Sequence, residues 1–238
     1  MIGHNGFMKA FVINLQSRTD RWEEVCRQRE LLGVEIYRVE ALTEQNSVSS
    51  PFVTGVISAT WQSHQRALKE FLQTSDDFAF ILEDDFILLR NWDLENLQIC
   101  EEFNVDFLQL GFLITNLIDR IQFTLNQFVD LTLKLLNRIT YHLPYLTSRL
   151  SSKLTVREQS GIPFRLVLND IRPGAHAYIV SRRFAEAALK INSPEFLSAD
   201  AVYISMGWMR SFNMLRMRSS HVGQSNSISS INVRFLNS

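Results

Sequence analysis

Phe78-Ala79-Phe80-Ile81-Leu82-Glu83-Asp84-Asp85 is the stretch on which the reading of this chain turns. Five consecutive apolar residues are short for a helix and the right length for a strand buried on both faces. Such strands belong to α/β sheets, where ligands gather at the carboxyl ends of the strands, and here the carboxyl end carries three acids. Adjacent carboxylates repel one another unless a cation offsets them, and hard oxygen donors suit Mg²⁺ or Mn²⁺ holding a diphosphate. Along an extended backbone Glu83 and Asp85 would share one face and Asp84 the other, one pair reaching metal and ribose while the third orients the loop. The competing reading is a solvated acidic turn, which the apolar residues on both sides, including Phe86 to Leu89, make less comfortable.

Outward from this run the chain alternates. Lys9 to Leu15 reads as a buried first strand, and Ser17 to Leu32 as a helix burying Trp22, Val25, Cys26 and Arg29 on one face, with Gly33 as its stop. Ile36 to Ala41 is a further strand, Ser58 to Thr74 a helix, and Val105 to Gly111 and Gly174 to Ser181 two more strands. The helix Arg182 to Ile191 follows, and Met214 to Arg218 is strand-like. Strands alternating with helices predict a mainly parallel central sheet covered by helices on both faces. Residues 112 to about 167 break the rhythm. Apolar positions at Ile121, Leu125, Phe128, Leu131, Leu135 and Ile139 have helical spacing, so an amphipathic helical insertion within a single domain spanning 1–238 is expected. The tail from Gln224 onward, rich in Ser and Asn, is expected to be loosely ordered at its end.

Composition narrows the partners. With 24 basic and 25 acidic residues among 238, a net charge of −1 and no basic run, nucleic acid is excluded as a main partner. Cys26 and Cys100 stand far apart without zinc-ligand neighbours, which points to a reducing, cytoplasmic setting and two small buried side chains. The first seven residues lack a basic stretch followed by an apolar core, and no run of about 20 apolar residues occurs, so no membrane span is expected. The basic bias of 112–154 (Arg120, Lys134, Arg138, Arg149 and Lys153) allows peripheral contact with an anionic membrane surface; packing on the core is the alternative.

Five segments in order resemble glycosyltransferase family 25, the lipooligosaccharide-biosynthesis galactosyltransferases, to which collagen galactosyltransferases are also related. They are Phe11-Val12-Ile13-Asn14-Leu15 with Arg18, Asp20 and Arg21; Ser63-His64; Phe80 to Asp85; Gly174 to Ser181 with its Ala-rich helix; and Asp200 in Ser198 to Tyr203. Together they span residues 9–203. The chain departs from the family pattern at Ala59-Thr60, where the family has Gly-Cys, and at Ala199, where it has Pro.

The resemblance implies a GT-A-like, Rossmann-like fold and a nucleotide-sugar donor, often UDP-galactose. It further implies a divalent metal, Mn²⁺ or Mg²⁺, and inverting transfer to a glycan acceptor such as lipopolysaccharide or another lipid-linked glycan. On that basis Asn14, Leu15, Arg18 and Arg21 would meet the nucleotide, with Arg18 preferred to Arg21. Glu83 and Asp84 would join the donor site, and Glu83 and Asp85, with His221, would hold the metal, a plain loop histidine being the alternative for His221. Asp200 would be the base that takes the acceptor's proton, a helix cap being the other use of an Asp there. Adjacent helical positions point Ser63 and His64 in different directions, so they read as donor-site groups or groups supporting it and not as a nucleophile and its base, a satisfied structural histidine being the alternative for His64. His176, in an apolar strand, reads as a core histidine. Two rival functions remain: a metal-dependent phosphohydrolase or nucleotidyltransferase using the same acids, and a binding or membrane-adaptor module that keeps the fold without activity.

Overall fold

The computed structural model describes residues 8–89, 95–112, 166–168, 170–192, 195, 197–209, 211–217 and 220–225. The chain divides into two compact units, residues 1–112 with 167–238, and residues 113–166. Apart from Leu166, the second unit and the helical insertion expected there lie outside the described residues, as does the tail beyond Ser225. No described helix is long and apolar enough to cross a membrane.

The main unit is an α/β structure whose elements run β1 (Lys9–Asn14), α1 (Thr19–Leu32), β2 (Glu35–Glu40), α2 (Gly55–Leu72), β3 (Phe78–Glu83), β4 (Phe86–Leu88), α3 (Glu95–Glu102), β5 (Phe107–Gln109), β6 (Leu166–Leu168), β7 (Ala177–Ser181), α4 (Arg182–Ile191), α5 (Ala199–Met209), β8 (Met214–Met217) and β9 (Val222–Gln224). Seven strands form one mixed, mostly parallel sheet in the order β2-β1-β3-β7-β5-β8-β6, and β4 and β9 pair separately as a small antiparallel ribbon. β1 runs parallel to β2 and β3, and β5 runs parallel to β8. β7 lies antiparallel to both β3 and β5, an exception at Gly174 to Ser181 within the expected mainly parallel sheet. Apolar run length reports burial on both faces but carries no strand direction, which only the connections decide.

Alternation along the strands divides the core. Phe11, Ile13, Ala79, Ile81, Tyr178 and Val180 join a cluster with Trp61, Leu68 and Phe71 of α2, Phe184 of α4 and Tyr203 of α5. Phe80 and Leu82, equally buried, take the other face. α1 buries Val25, Gln28 and Leu32, while Cys26 is exposed. The expected face through Trp22, Cys26 and Arg29 is therefore rotated, with Arg38 stacking over the Trp22 ring 5.0 Å from its centroid. Gly33 ends α1 in the left-handed conformation at φ 68°, as its place after the last periodic residue predicts.

Candidate functional site

From β1 the chain passes through α1 to β2 on one side of β1, then returns through α2 to β3 on the other side. The carboxyl ends of β1 and β3 therefore flank a topological switch point, the place where open α/β sheets leave a crevice for ligands. Asn14 is the last residue of β1 and Glu83 the last of β3, with Ile13 paired to Glu83 across the strands. The acidic run lies at this position because the apolar strand before it ends there.

The three acids separate into two environments. β3 stops at Glu83, and Asp84-Asp85 form the turn into β4, so the alternation that would set Glu83 and Asp85 against Asp84 does not extend past the strand. Asp84 accepts a hydrogen bond from Asn14 Nδ2 at 2.6 Å and another from Arg21 Nη1 at 2.6 Å. The same Nη1 lies 3.7 Å from Asp85 Oδ2. α1 brings Arg21 to this point, and it is stapled there by Gln28, which donates to Phe86 O and accepts from Leu88 N, each at 3.2 Å. On the far side of the turn Ser225 N donates to Asp85 O at 2.7 Å.

Several buried polar atoms here have no partner among the described residues: Asn14 Oδ1, Arg21 Nε and Nη2, and Asp85 Oδ1. Nε and Nη2 form the two-pronged edge of a guanidinium, the edge with which Arg18 grips Asp20 at 2.9 and 2.8 Å in this same chain. An unpaired buried donor costs about 1–3 kcal/mol, and proteins tolerate several together mainly where function requires them. Burial, the nearby Glu83 charge and Asp84 push the Asp85 carboxyl up to about 7, with Arg21 acting the other way.

Glu83 meets different partners. Its Oε1 lies 3.4 Å from His64 Nε2, and its Oε2 accepts from Gln224 Nε2 of β9 at 3.4 Å. Burial alone would raise this carboxyl, but the His64 ring, His176 and Arg21 bring it below its ordinary value. His64 Nδ1 lies 2.8 Å from the Tyr178 hydroxyl, which lies 2.7 Å from that of Tyr203. Asp200 belongs to this side of the site. Burial raises its carboxyl, hydrogen bonds from the backbone of Gly174 and Ala175 counter this, and Glu83 and His64 act on it through space. It stands in the first turn of α5, where Ser198 Oγ accepts from Ala201 N at 3.3 Å and serves as the cap. The cap use expected for Asp200 falls to Ser198.

Other expected residues take different places. Arg18 is engaged with Asp20 at the surface and only its carbonyl meets Asn14, at 3.2 Å, so Arg21 and not Arg18 reaches the acids. The Leu15 carbonyl accepts from Arg18 N at 2.9 Å within the turn after β1. Ser63 is committed to the scaffold, donating to Ala59 O at 2.7 Å and accepting from Leu42 N at 2.8 Å. His221 is buried, with its backbone N–H on Leu110 O at 2.9 Å and its carbonyl accepting from Leu89 N at 3.0 Å. Among the described residues no three His, Cys, Asp or Glu side chains converge as a metal cluster, so Glu83, Asp85 and His221 do not form the expected three-ligand set.

Sequence reading missed Tyr178, Tyr203 and Gln224, whereas His176 is the core histidine expected of it. The His176 ring is buried, its Nε2 lies 3.4 Å from Val222 O, and its Nδ1 has no partner among the described residues. Burial lowers its pKa while Glu83 and Asp200 oppose that shift. A side chain added at Gly111 would run into this ring and into Val222 O, which accounts for glycine there. None of these residues carries a local signal, since a Tyr in an apolar strand reads as core. No protein-family model and no curated protein matches the chain.

Proposed function

We propose that this protein is a glycosyltransferase of the GT-A type that takes a nucleotide-sugar donor, with a UDP-hexose as the favoured donor and a glycan, free or lipid-linked, as acceptor. The observation that carries the reading is Arg21. One of its nitrogens is shared between Asp84 and Asp85 at the sheet's switch point, while its two-pronged edge is buried without a partner among the described residues, as are one oxygen each of Asn14 and Asp85. That edge is shaped for an oxyanion such as a phosphate, and Asn14 and Asp84 offer acceptors for ribose or base.

The residues also fit a divalent cation. Mg²⁺ and ions like it bind through one or two carboxylates together with substrate phosphates and water, so the absence of a three-residue cluster among the described residues is compatible with such a site. Asp85, with an unpaired oxygen and a carboxyl raised by burial and by Glu83, is the group a cation would most relieve. Asp85 and Glu83 are the ligands proposed, and the ion would supply charge compensation for the departing diphosphate. Asp200 remains the proposed base: burial raises its pKa, which strengthens a carboxylate as a proton acceptor, and it lies on the Glu83 side of the site. A cytoplasmic location, with peripheral membrane contact through 112–154, accompanies this reading.

Calorimetric titration with UDP and Mn²⁺, followed by donor hydrolysis over a panel of nucleotide sugars and simple phosphate esters, tests it. Metal-dependent UDP binding with turnover of one nucleotide sugar is expected. Turnover of phosphate esters alone would replace it with a phosphohydrolase, and no metal-dependent binding would leave a non-catalytic module.

A further inference from the structure

Glu83, His64, Tyr178 and Tyr203 stand in single file, drawn from β3, α2, β7 and α5. The steps are 3.4 Å from Glu83 Oε1 to His64 Nε2, 2.8 Å from His64 Nδ1 to Tyr178 Oη, and 2.7 Å from there to Tyr203 Oη. His64, Tyr178 and Tyr203 are sealed from solvent. Burial raises both phenols, so each keeps its hydrogen. A phenol has one hydrogen to donate and a neutral imidazole one N–H, so the file can run in only two directions. If it runs outward from Glu83, His64 Nδ1–H donates to Tyr178, and the bare Nε2 lone pair faces a carboxylate oxygen, which is repulsive. If it runs toward Glu83, Tyr203 donates to Tyr178, Tyr178 to Nδ1, and Nε2–H to the carboxylate, so that every step is attractive.

We infer that Tyr178 is a positioning residue that holds His64 in its Nε2–H tautomer, so that the imidazole fixes one oxygen of Glu83 while Gln224 fixes the other. The tautomer of a histidine is set by the hydrogen bond its other nitrogen makes, and here that partner is a buried phenol that itself has a donor behind it. The consequence for donor binding rests on the function proposed above: a carboxylate already held from behind meets its ligand without first losing rotamer freedom. The tautomer itself does not rest on that function.

Side-chain ¹⁵N spectra of the full, unliganded chain with labelled histidine decide the first part, with His64 assigned by its loss in His64→Gln. Nε2–H is expected, and either the Nδ1–H tautomer or the imidazolium overturns the inference. Tyr178→Phe keeps the ring shape and is expected to let the Nδ1–H form appear. It is also expected to weaken Mn²⁺-dependent UDP binding about tenfold, the size of a lost hydrogen bond to a charged group. An unchanged tautomer or an unchanged affinity overturns the positioning role. His64→Gln retains an N–H for Glu83 and should bind UDP more tightly than His64→Leu, and adding Tyr178→Phe to His64→Gln should have no further effect. An additive loss would show that Tyr178 acts through packing. Should Tyr178→Phe not fold, the wild-type spectrum and the two His64 variants still decide. Should the wild-type protein bind no UDP, the glycosyltransferase reading fails while the spectrum still judges the tautomer.

Discussion

Two aspartate–arginine clusters lie at opposite ends of the sheet, and they differ in how completely they are paired. At the amino end of β5, Asp106 accepts from Arg183 through both of its oxygens, from Ser181 Oγ at 3.1 Å and from Asn213 N at 2.8 Å. Arg183 then extends into solvent. At the carboxyl end of β3, Arg21 gives one nitrogen to two aspartates and leaves its other polar edge unused and buried. The first cluster closes a corner of the fold by joining α3's exit, β7 and β8. The second holds unsatisfied groups at the switch point, where a ligand could complete them. The same residue types thus serve structure where their hydrogen bonds are complete and point to binding where they are not.

The largest effect expected from this contrast is on activity. Asp85→Ala should lower donor turnover at least about 100-fold, the range for loss of a charge-compensating ligand, while the melting temperature stays the same or rises. A parallel loss of turnover and of stability in that variant would erase the distinction between the clusters. Asp106→Ala should do the reverse. Breaking a complete set around a buried carboxylate should cost about 2–4 kcal/mol, a fall in melting temperature of roughly 5–10 °C, with UDP affinity per folded molecule unaltered.

A smaller effect separates the clusters by pH in the metal-free protein. Folded Asp85 keeps its proton up to about 7, whereas in the unfolded chain it is released near 3.8. Between those values the folded state holds more protons, so stability falls as pH rises through the window and is lowest above it. Thermal melts from pH 7 downward should therefore show a rise that is missing in Asp85→Asn. Glu83 and Asp106, held below their ordinary values, remove stability at the acid end and limit the rise. Saturating Mn²⁺ should flatten it. The smallest expected change comes from Arg18→Ala. Its pair with Asp20 is exposed, so melting should be unaltered and UDP affinity should fall less than in Arg21→Ala.

Much of the scaffold is legible in the chain. Phe78 to Leu82, Lys9 to Asn14 and Arg182 to Ile191 declare their elements because apolar run length and period report burial directly, and Gly33 marks a helix end because few other residues accept its conformation. The position of the acids at a strand's carboxyl end is equally local. The direction of β7, the rotated face of α1 and the β4–β9 ribbon are not, because each depends on which distant segment lies alongside. The site divides in the same way. Sequence alone placed Glu83-Asp84-Asp85 at the mouth of an α/β sheet, since burial of the preceding strand leaves charge nowhere else to emerge. Only the tertiary structure decided that Arg21 and not Arg18 meets those acids, and that two tyrosines stand behind His64. Hydrogen bonds between residues 63, 70 or 114 positions apart have no periodicity for a sequence to show.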